Sequence, residues 1–344
     1  MVKDVYSSYK VAFHKDKLDQ LKRGELPIPI FVQWDLSNRC NLNCNFCFYH
    51  IYSLSDWDSR KIMPKETAFK VLQELKELGI KAVEWTGGGS VETHPDWKEI
   101  LQRSKDLGFE NALVTNGTLL DEEGLQLIKD FEWVRFSIDA ATPQTYKTIK
   151  RVDLFDKAIN NIKRLLEIRD PKNIIGYSFI VCKENYKEIY KATLNAKSLG
   201  CDNVRFSLAM TPLREKLFKG IWDKCVKEIE LAKEEETKDF KVFAFSNRIY
   251  ELALKTLSEY CSYHHLVGVI APTGVYPCCR LKDEGKYNFG DLNGKSFKEI
   301  WYGERRKEFI KSIENGCPYD CWMTEKNNFI KYLLLDKPRH VNFI

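Results

Sequence analysis

No long apolar run interrupts the 344-residue sequence. The opening stretch, MVKDVYSSYKVAFHKDKLDQLKRGE, has nothing like the hydrophobic core of a secretory signal. No later segment approaches the roughly 20 apolar residues of a membrane span. A cytoplasmic protein without a membrane partner is therefore expected. Charge of one sign is not concentrated either: 54 Lys and Arg are interleaved with 49 Asp and Glu, as in KEIELAKEEETKDFK, and the formal charge of +5 is spread along helix faces. A nucleic-acid-binding surface would gather its cations on one side, so nucleic acid is not expected as substrate. Low-complexity segments and internal repeats are missing. What remains is an ordinary globular composition, 44% hydrophobic and 30% charged, long enough for one large domain with or without a smaller one.

A complete disulfide framework is not expected either, since the cysteine count is odd, at eleven, and no export signal accompanies it. The thiols are expected to be reduced. Three crowd together at Cys40, Cys44 and Cys47, and five fall between Cys261 and Cys321. Cys182, Cys201 and Cys225 are scattered through apolar or helical contexts and read as small buried hydrophobes.

From about residue 30 to 210, short β-branched and aromatic runs alternate with amphipathic stretches. Strands are expected at 28–36, 81–85, 111–115, 134–138, 174–181 and 203–210. Helices are expected at 64–79, 95–108, 154–170 and 185–200, the first with apolar residues at 68, 71, 72, 75 and 78. Such β-α units in succession imply a parallel sheet, doubly wound or curled towards a barrel, with function at the carboxyl ends of its strands. The three-cysteine stretch, TGGGS and NGT each follow a strand, so three loops should converge on one rim. Beyond 240 the texture changes: KVFAF reads as a strand, 247–260 as a helix, HLVGVIAPTGVYPCCR as a hairpin and 296–314 as one helix. The expected organisation is an extension (1–27), a β-α core (28–240) and a small cysteine-stapled domain (241–344).

Cys40-x3-Cys44-x2-Cys47 is a specific signal. Soft thiolates select zinc or iron–sulfur clusters, and [4Fe–4S] clusters use short spacings of this kind. Three ligands, with no fourth cysteine before Cys182, suit a cluster with one iron open. The alternative is a zinc site completed by His50.

In these motifs the sequence resembles the radical S-adenosylmethionine (radical SAM) superfamily, whose signature is CxxxCxxC with an aromatic residue, here Phe46, before the last cysteine. WTGGGSVETHPDW (85–97), LVTNGTLL (113–120), VRFSIDAATPQTYKTIKR (134–151) and the asparagine of VCKENYKEI (181–189) match later family motifs in order. The resemblance implies an α/β fold, a partial (β/α)6 barrel of the TIM type. It also implies a [4Fe–4S] cluster on Cys40, Cys44 and Cys47, its fourth iron chelated by SAM, and reductive cleavage of SAM to a 5′-deoxyadenosyl radical that takes a substrate hydrogen. Carried over to this chain, Gly87, Gly88, Gly89, Ser90, Asn116, Ser137, Arg151 and Asn185 would contact SAM. The glycines serve a tight turn equally well, and Asn185 could equally cap the following helix. One departure stands out: Ser90 replaces the usual Glu after the glycines, which removes a charge-assisted bond unless another carboxylate, Glu92, compensates. Asp139 is a catalytic candidate or a turn and helix-cap aspartate.

The segment from Cys261 resembles the auxiliary-cluster domain of many radical SAM enzymes, called SPASM in its seven-cysteine form and twitch in its single-cluster form. TGVYPCCR, FGDLN, SFKEIW and CPYDCW carry that likeness. Five cysteines suit one auxiliary [4Fe–4S] cluster, on Cys261, Cys278, Cys317 and Cys321, with Cys279 the alternative to Cys278. A structural zinc on four of these remains open. Arg280 could reach substrate or offset cluster charge, or lie at the surface.

The expected function is a radical SAM oxidoreductase performing a two-electron oxidation, with the auxiliary cluster as electron relay. A small polar molecule is the expected substrate, since no peptide-recognition domain is visible before residue 30. Oxidation, cross-linking or epimerisation of a peptide is the alternative, with Cys279 a possible hydrogen donor. A flavodoxin or ferredoxin would supply low-potential electrons. A non-catalytic iron–sulfur or zinc protein is the reading from another class. Pocket-lining residues should be sought around Ser178, Arg205, Ser207 and Met210.

Overall fold

The computed structural model describes residues 6–52, 54–209, 218–244, 261–314, 316–317, 321 and 323–334. The expected helix at 247–260 and Met210 lie outside these residues. All six expected core strands form, as β1 (Phe31–Asp35), β2 (Ala82–Thr86), β3 (Glu110–Thr115), β4 (Trp133–Ser137), β5 (Ile174–Val181) and β6 (Asn203–Leu208). They pair in parallel and in sequence order, β1 to β6. The expected KVFAF strand is β7 (Lys241–Phe243), which adds parallel to β6 on the core sheet.

The helices between the strands pack where their apolar stripes dictate. Helix Lys65–Glu77 buries Ala68, Val71, Leu72 and Leu75, the i, i+3, i+4, i+7 set of one helix face. Beneath it the sheet contributes Trp34 and Trp85, both fully buried and stacked with ring centroids 5.3 Å apart. The Trp85 indole donates to Asn111 Oδ1 at 2.8 Å, so burying it leaves no orphaned donor. Among the described residues, no helix is long and apolar enough to cross a membrane.

The cysteine-rich segment does not stand apart from this sheet. Its hairpin, β8 (Val267–Ala271) and β9 (Gly274–Tyr276), continues it: β8 runs parallel to β1 and β9 antiparallel to β8. Among the described residues the order is β7-β6-β5-β4-β3-β2-β1-β8-β9, an open parallel sheet with one antiparallel edge strand. The expected 296–314 helix is divided. Phe297–Trp301 and Glu304–Ser312 are separate helices, because Gly303 is extended (φ −72°, ψ 164°) and serves as N-cap of the second. The first is anchored to the core by Glu74, whose carboxylate accepts from Phe297 and Lys298 N–H at 2.8 Å each. A carboxylate at a helix N-terminus satisfies orphan donors and meets the favourable end of the helix dipole.

A second tie is ionic. The Lys282 ammonium, following β9, donates to the Asp35 carboxylate at the end of β1, both side chains almost fully buried. Removing one member of such a pair strands the other charge in a low-dielectric interior. Lys282→Met is expected to cost about 3–5 kcal/mol in chemical denaturation. The Asp35→Asn, Lys282→Met double variant should recover much of that loss, and a double variant no better than the single one would contradict this account of the pair.

Candidate active site

The inward positions of the strands line a cavity of about 1210 Å³. Strand alternation selects these positions: on β4, Trp133, Arg135 and Ser137 line the cavity while Val134 and Phe136 are buried in the core. At the carboxyl ends of the strands the three expected loops do converge. Ser90 N–H donates to the Arg39 carbonyl at 2.7 Å and Gly89 N–H to the Ser37 carbonyl at 3.1 Å, zipping the loop after β2 onto the cysteine loop after β1. Asn41 Nδ2 donates to Thr118 Oγ1 at 2.8 Å and Asn41 Oδ1 accepts from Asn116 Nδ2 at 3.0 Å, bringing in the loop after β3. Gly89 is required for this contact, since a Cβ there would overlap the Arg39 carbonyl.

Cys40, Cys44 and Cys47 all line the cavity. Burial raises all three thiol pKa values, that of Cys44 to about 11, while the Lys150 ammonium pulls the other way. Thiols in this state ionise when a metal displaces their protons. Among the described residues no three Cys, His, Asp or Glu side chains converge tightly enough to chelate one ion. A cluster needs no such convergence, because each thiolate takes a different iron. Three soft donors on one loop, facing one cavity beside a buried cation, fit a cluster.

That cation was not legible in the motif. Arg151 is exposed, ends helix Pro143–Lys150 in the left-handed conformation (φ 59°) and does not line the cavity. Lys150 faces inward instead, with its ammonium 5.4 Å from the Phe46 ring centroid. Burial works against the charged amine, but Asp139 and Cys44 outweigh it and the Lys150 pKa rises. The helical period held the signal: Tyr146, Ile149 and Lys150 share the buried face that Arg151 leaves.

Asp139, at φ 62°, spends its carboxylate on Lys150 and on Ile180 N–H, the latter at 2.6 Å. Asn185 is fully buried and does not cap the helix. Its amide donates to the Asp139 and Ile180 carbonyls at 2.8 and 2.9 Å, and its oxygen accepts from Cys182 N–H at 2.7 Å. Neither residue lines the cavity; both brace the loop after β5 against Lys150. Gly87, Gly88, Gly89, Ser90, Asn116 and Ser137 do line it. Behind Ser90 stands the expected carboxylate. Ser90 Oγ donates to Glu92 Oε2 at 2.5 Å, and Thr115 Oγ1 donates to Glu92 Oε1. Burial raises the Glu92 pKa, with the two hydroxyl donors opposing it. Because the Ser90 hydrogen points to Glu92, its lone pairs face away from that carboxylate, and Asn116 Nδ2 approaches them at 3.3 Å.

In the C-terminal region Cys321 and Cys317 lie near enough to Cys261 to raise its pKa, after burial, to about 12. Cys278 joins Cys261 and Cys321 in the same way and does not line the cavity. Cys279 does line it. Cys279 too lies near enough to Cys321 to have its pKa raised, after burial, so both members of the pair neighbour the other thiols and Cys279 alone of the two lines the cavity. Arg280 is buried outside the cavity, its guanidinium 5.4 Å from the ring centroids of both Phe48 and Tyr52 on the segment after Cys47. Arg205 and Ser207 line the cavity, and Ser178 does not.

Residues 34–194 match the radical SAM superfamily and residues 261–322 the iron–sulfur cluster-binding SPASM domain. The tungsten-containing aldehyde ferredoxin oxidoreductase cofactor-modifying protein of Pyrococcus furiosus is 26% identical over 333 residues, covering 89% of this chain and 91% of that protein. Among solved structures, Streptococcus suis SuiB bound to S-adenosylmethionine superposes with a TM-score of 0.67 at 15% identity, over 90% of this chain and 75% of SuiB. His-tagged anSMEcpe with bound AdoMet gives 0.61 at 20% identity, over 83% of each chain. At these identities both structures speak to the fold alone.

Anaerobic reconstitution is expected to load about eight irons and as many acid-labile sulfides per chain, the content of two [4Fe–4S] clusters. The Cys40→Ala, Cys44→Ala, Cys47→Ala triple variant should retain about four irons, one such cluster. Zinc without sulfide would overturn the cluster assignment.

Proposed function

This chain is a radical SAM enzyme with a C-terminal SPASM iron–sulfur domain, and from that premise we propose that it oxidises a small polar molecule by two electrons. Its cofactors are S-adenosylmethionine, a [4Fe–4S] cluster on three cysteines and an auxiliary [4Fe–4S] cluster. When bound, these groups supply hydrogen-atom abstraction from a substrate carbon and an acceptor for the second electron. One observation carries the reading: Cys40, Cys44 and Cys47 line a cavity that Cys279, the chain neighbour of the auxiliary ligand Cys278, also lines. A substrate in that cavity lies between the three-cysteine loop and the segment that carries Cys278, as a net oxidation requires.

The chain's own residues divide the remaining work. Cys40, Cys44 and Cys47 hold the catalytic cluster, and Cys261, Cys278, Cys317 and Cys321 the auxiliary one. Ser90, polarised by Glu92, accepts from the SAM ammonium in place of a direct carboxylate. Lys150, with Ser137 across the rim, faces the SAM carboxylate, a place that Arg151 is turned away from. Asp139 positions Lys150. Arg280 clamps the auxiliary loop to the helix after Cys47. A low-potential flavodoxin or ferredoxin is the electron donor in this proposal. A small-molecule substrate accords with the relative whose name describes modification of an enzyme cofactor. The second reading, modification of a peptide, has behind it the fold shared with SuiB, which has been solved with its precursor peptide SuiA.

The test is 5′-deoxyadenosine release from SAM under reducing conditions, with the small-molecule or the peptide fraction of a cell extract added. Acceleration by the small-molecule fraction is expected. Acceleration by peptides alone would favour the second reading, and no cleavage of SAM at all would leave a non-catalytic carrier. Ser90→Ala and Glu92→Gln should each weaken SAM binding in equilibrium dialysis by about tenfold, the scale of one charge-assisted hydrogen bond. Unchanged affinity in both would remove the pair from the SAM site.

A further inference from the structure

Helix Glu304–Ser312 sets a cation inside the auxiliary segment. Arg306 is fully buried, with its guanidinium carbon 3.8 Å from the Trp301 ring centroid. Its Nη1 donates to the Trp301 carbonyl at 3.2 Å and its Nη2 to the His264 carbonyl at 3.5 Å, while Nε meets no acceptor. Among the described residues no carboxylate pairs with it: burial lowers its pKa to about 9 and the Tyr302 phenol alone opposes, which leaves it charged at neutral pH. A buried charge held by carbonyls and a ring alone is costly unless an anion stands close by.

Arg306 lies one residue away from a cysteine of the auxiliary set. The His264 backbone, whose carbonyl takes Nη2, also favours the charged form of the Cys261 thiol. Cys261, His264 and His265 line one cavity of about 300 Å³ together with Ile310 of the same helix. Both imidazoles are buried, and burial lowers their pKa values, that of His265 to about 3, with the Arg306 charge adding to the effect. They contribute no second cation. Glu25 and Glu314 border this cavity as well, but both are exposed, and Glu25 is taken by Arg23 at 2.7 Å. Four thiolates give a [4Fe–4S] assembly a net negative charge, and one-electron reduction adds one more. A fixed cation close by in a low-dielectric interior stabilises the reduced form.

We propose that the buried positive charge of Arg306 raises the reduction potential of the auxiliary cluster, so that the second electron of the substrate is drawn to it. This deepens the oxidative radical SAM reading, on which it rests together with Cys261 as a ligand. The balance is complete. The substrate loses one hydrogen atom, which appears in 5′-deoxyadenosine, then one electron to the auxiliary cluster and one proton to water. No bond forms or breaks at the cluster. Arg306 touches no reacting atom and acts through the cluster, as a positioning residue that places charge.

The test reads the midpoint potential of the auxiliary cluster in the full-length, reconstituted chain, by redox titration followed with electron paramagnetic resonance. The Cys40→Ala, Cys44→Ala, Cys47→Ala background keeps that cluster alone, so its signal is unmixed. Arg306→Gln is expected to lower the equilibrium constant for reduction by about tenfold or more, a fall of about 59 mV for one electron. Arg306→Lys keeps the charge and should recover more than half of that fall. Arg305→Gln removes an exposed cation from the same helix and should change the constant by less than about twofold, because water and salt screen it. If Arg306→Gln fails to fold, Arg306→Met keeps the stem packed on Trp301, removes the charge and is expected to give the same fall. An unchanged potential without the charge, or a fall in Arg306→Lys equal to that in the uncharged variant, overturns the proposal. The underlying reading fails separately, through absence of 5′-deoxyadenosine from the wild-type protein. An Arg306-dependent potential without SAM cleavage would spare the proposal and sink that reading; SAM cleavage with zinc in the second site would do the reverse.

Discussion

The pairing of β1 on both of its edges is the constraint from which the rest of the site follows. β2 bonds one edge over Phe31–Asp35 and β8 the other over Phe31–Trp34. The three-cysteine loop leaves the end of this strand, and β8 leads through β9 into Cys278 and Cys279. The three-cysteine loop and the Cys278–Cys279 pair, more than 200 residues apart in sequence, thereby follow strands of one sheet separated only by β8. At the junction the Asp35 carboxylate takes the Lys282 ammonium, and the nearby Gly88 backbone favours its charged form against burial. One side chain thus gathers the cysteine-loop strand, the glycine loop and the auxiliary segment.

Buried charge is used here to fix position more than to add stability. Lys150 pairs with Asp139 across the loop after β4, and Lys282 pairs with Asp35 across the core and the auxiliary segment. Such pairs recover their desolvation cost only in one geometry, so a shifted register is penalised even where the net gain is small. The Ser90–Glu92 contact follows the same logic. A carboxylate set one side chain back keeps its charge behind hydroxyls, and the cavity wall shows an oriented dipole instead of a bare anion.

The C-terminal segment departs most from a reading by composition. Its cysteines and turn residues suggest a separate stapled unit, yet its hairpin extends the core sheet and its helix Phe297–Trp301 is capped by Glu74 of a core helix. Sheet edges seek partners, and β1 would otherwise expose a row of unpaired backbone groups beside the cysteine loop. Covering that edge with β8 removes the liability and brings Cys279 to the cavity.

Locally coded features were legible from the sequence alone. The six core strands, the stripe on helix Lys65–Glu77 and the convergence of three loops follow from periodicity and from the rule that parallel β-α units place loops at one end. The three-cysteine loop was legible because its ligands are neighbours in the chain. Only the tertiary structure decided which side chains share a space. Lys150 rather than Arg151 turns inward because the helix ends one residue before the left-handed Arg151. Asp139 and Asn185 are consumed by bonds to each other's loops, and Arg280 by the aromatic rings of Phe48 and Tyr52. Tyr6, Arg135 and Arg205 meet although sequence spacing relates none of them. Periodicity encodes which face of an element is buried; which residues meet there depends on strand order and register, set by pairings between distant segments.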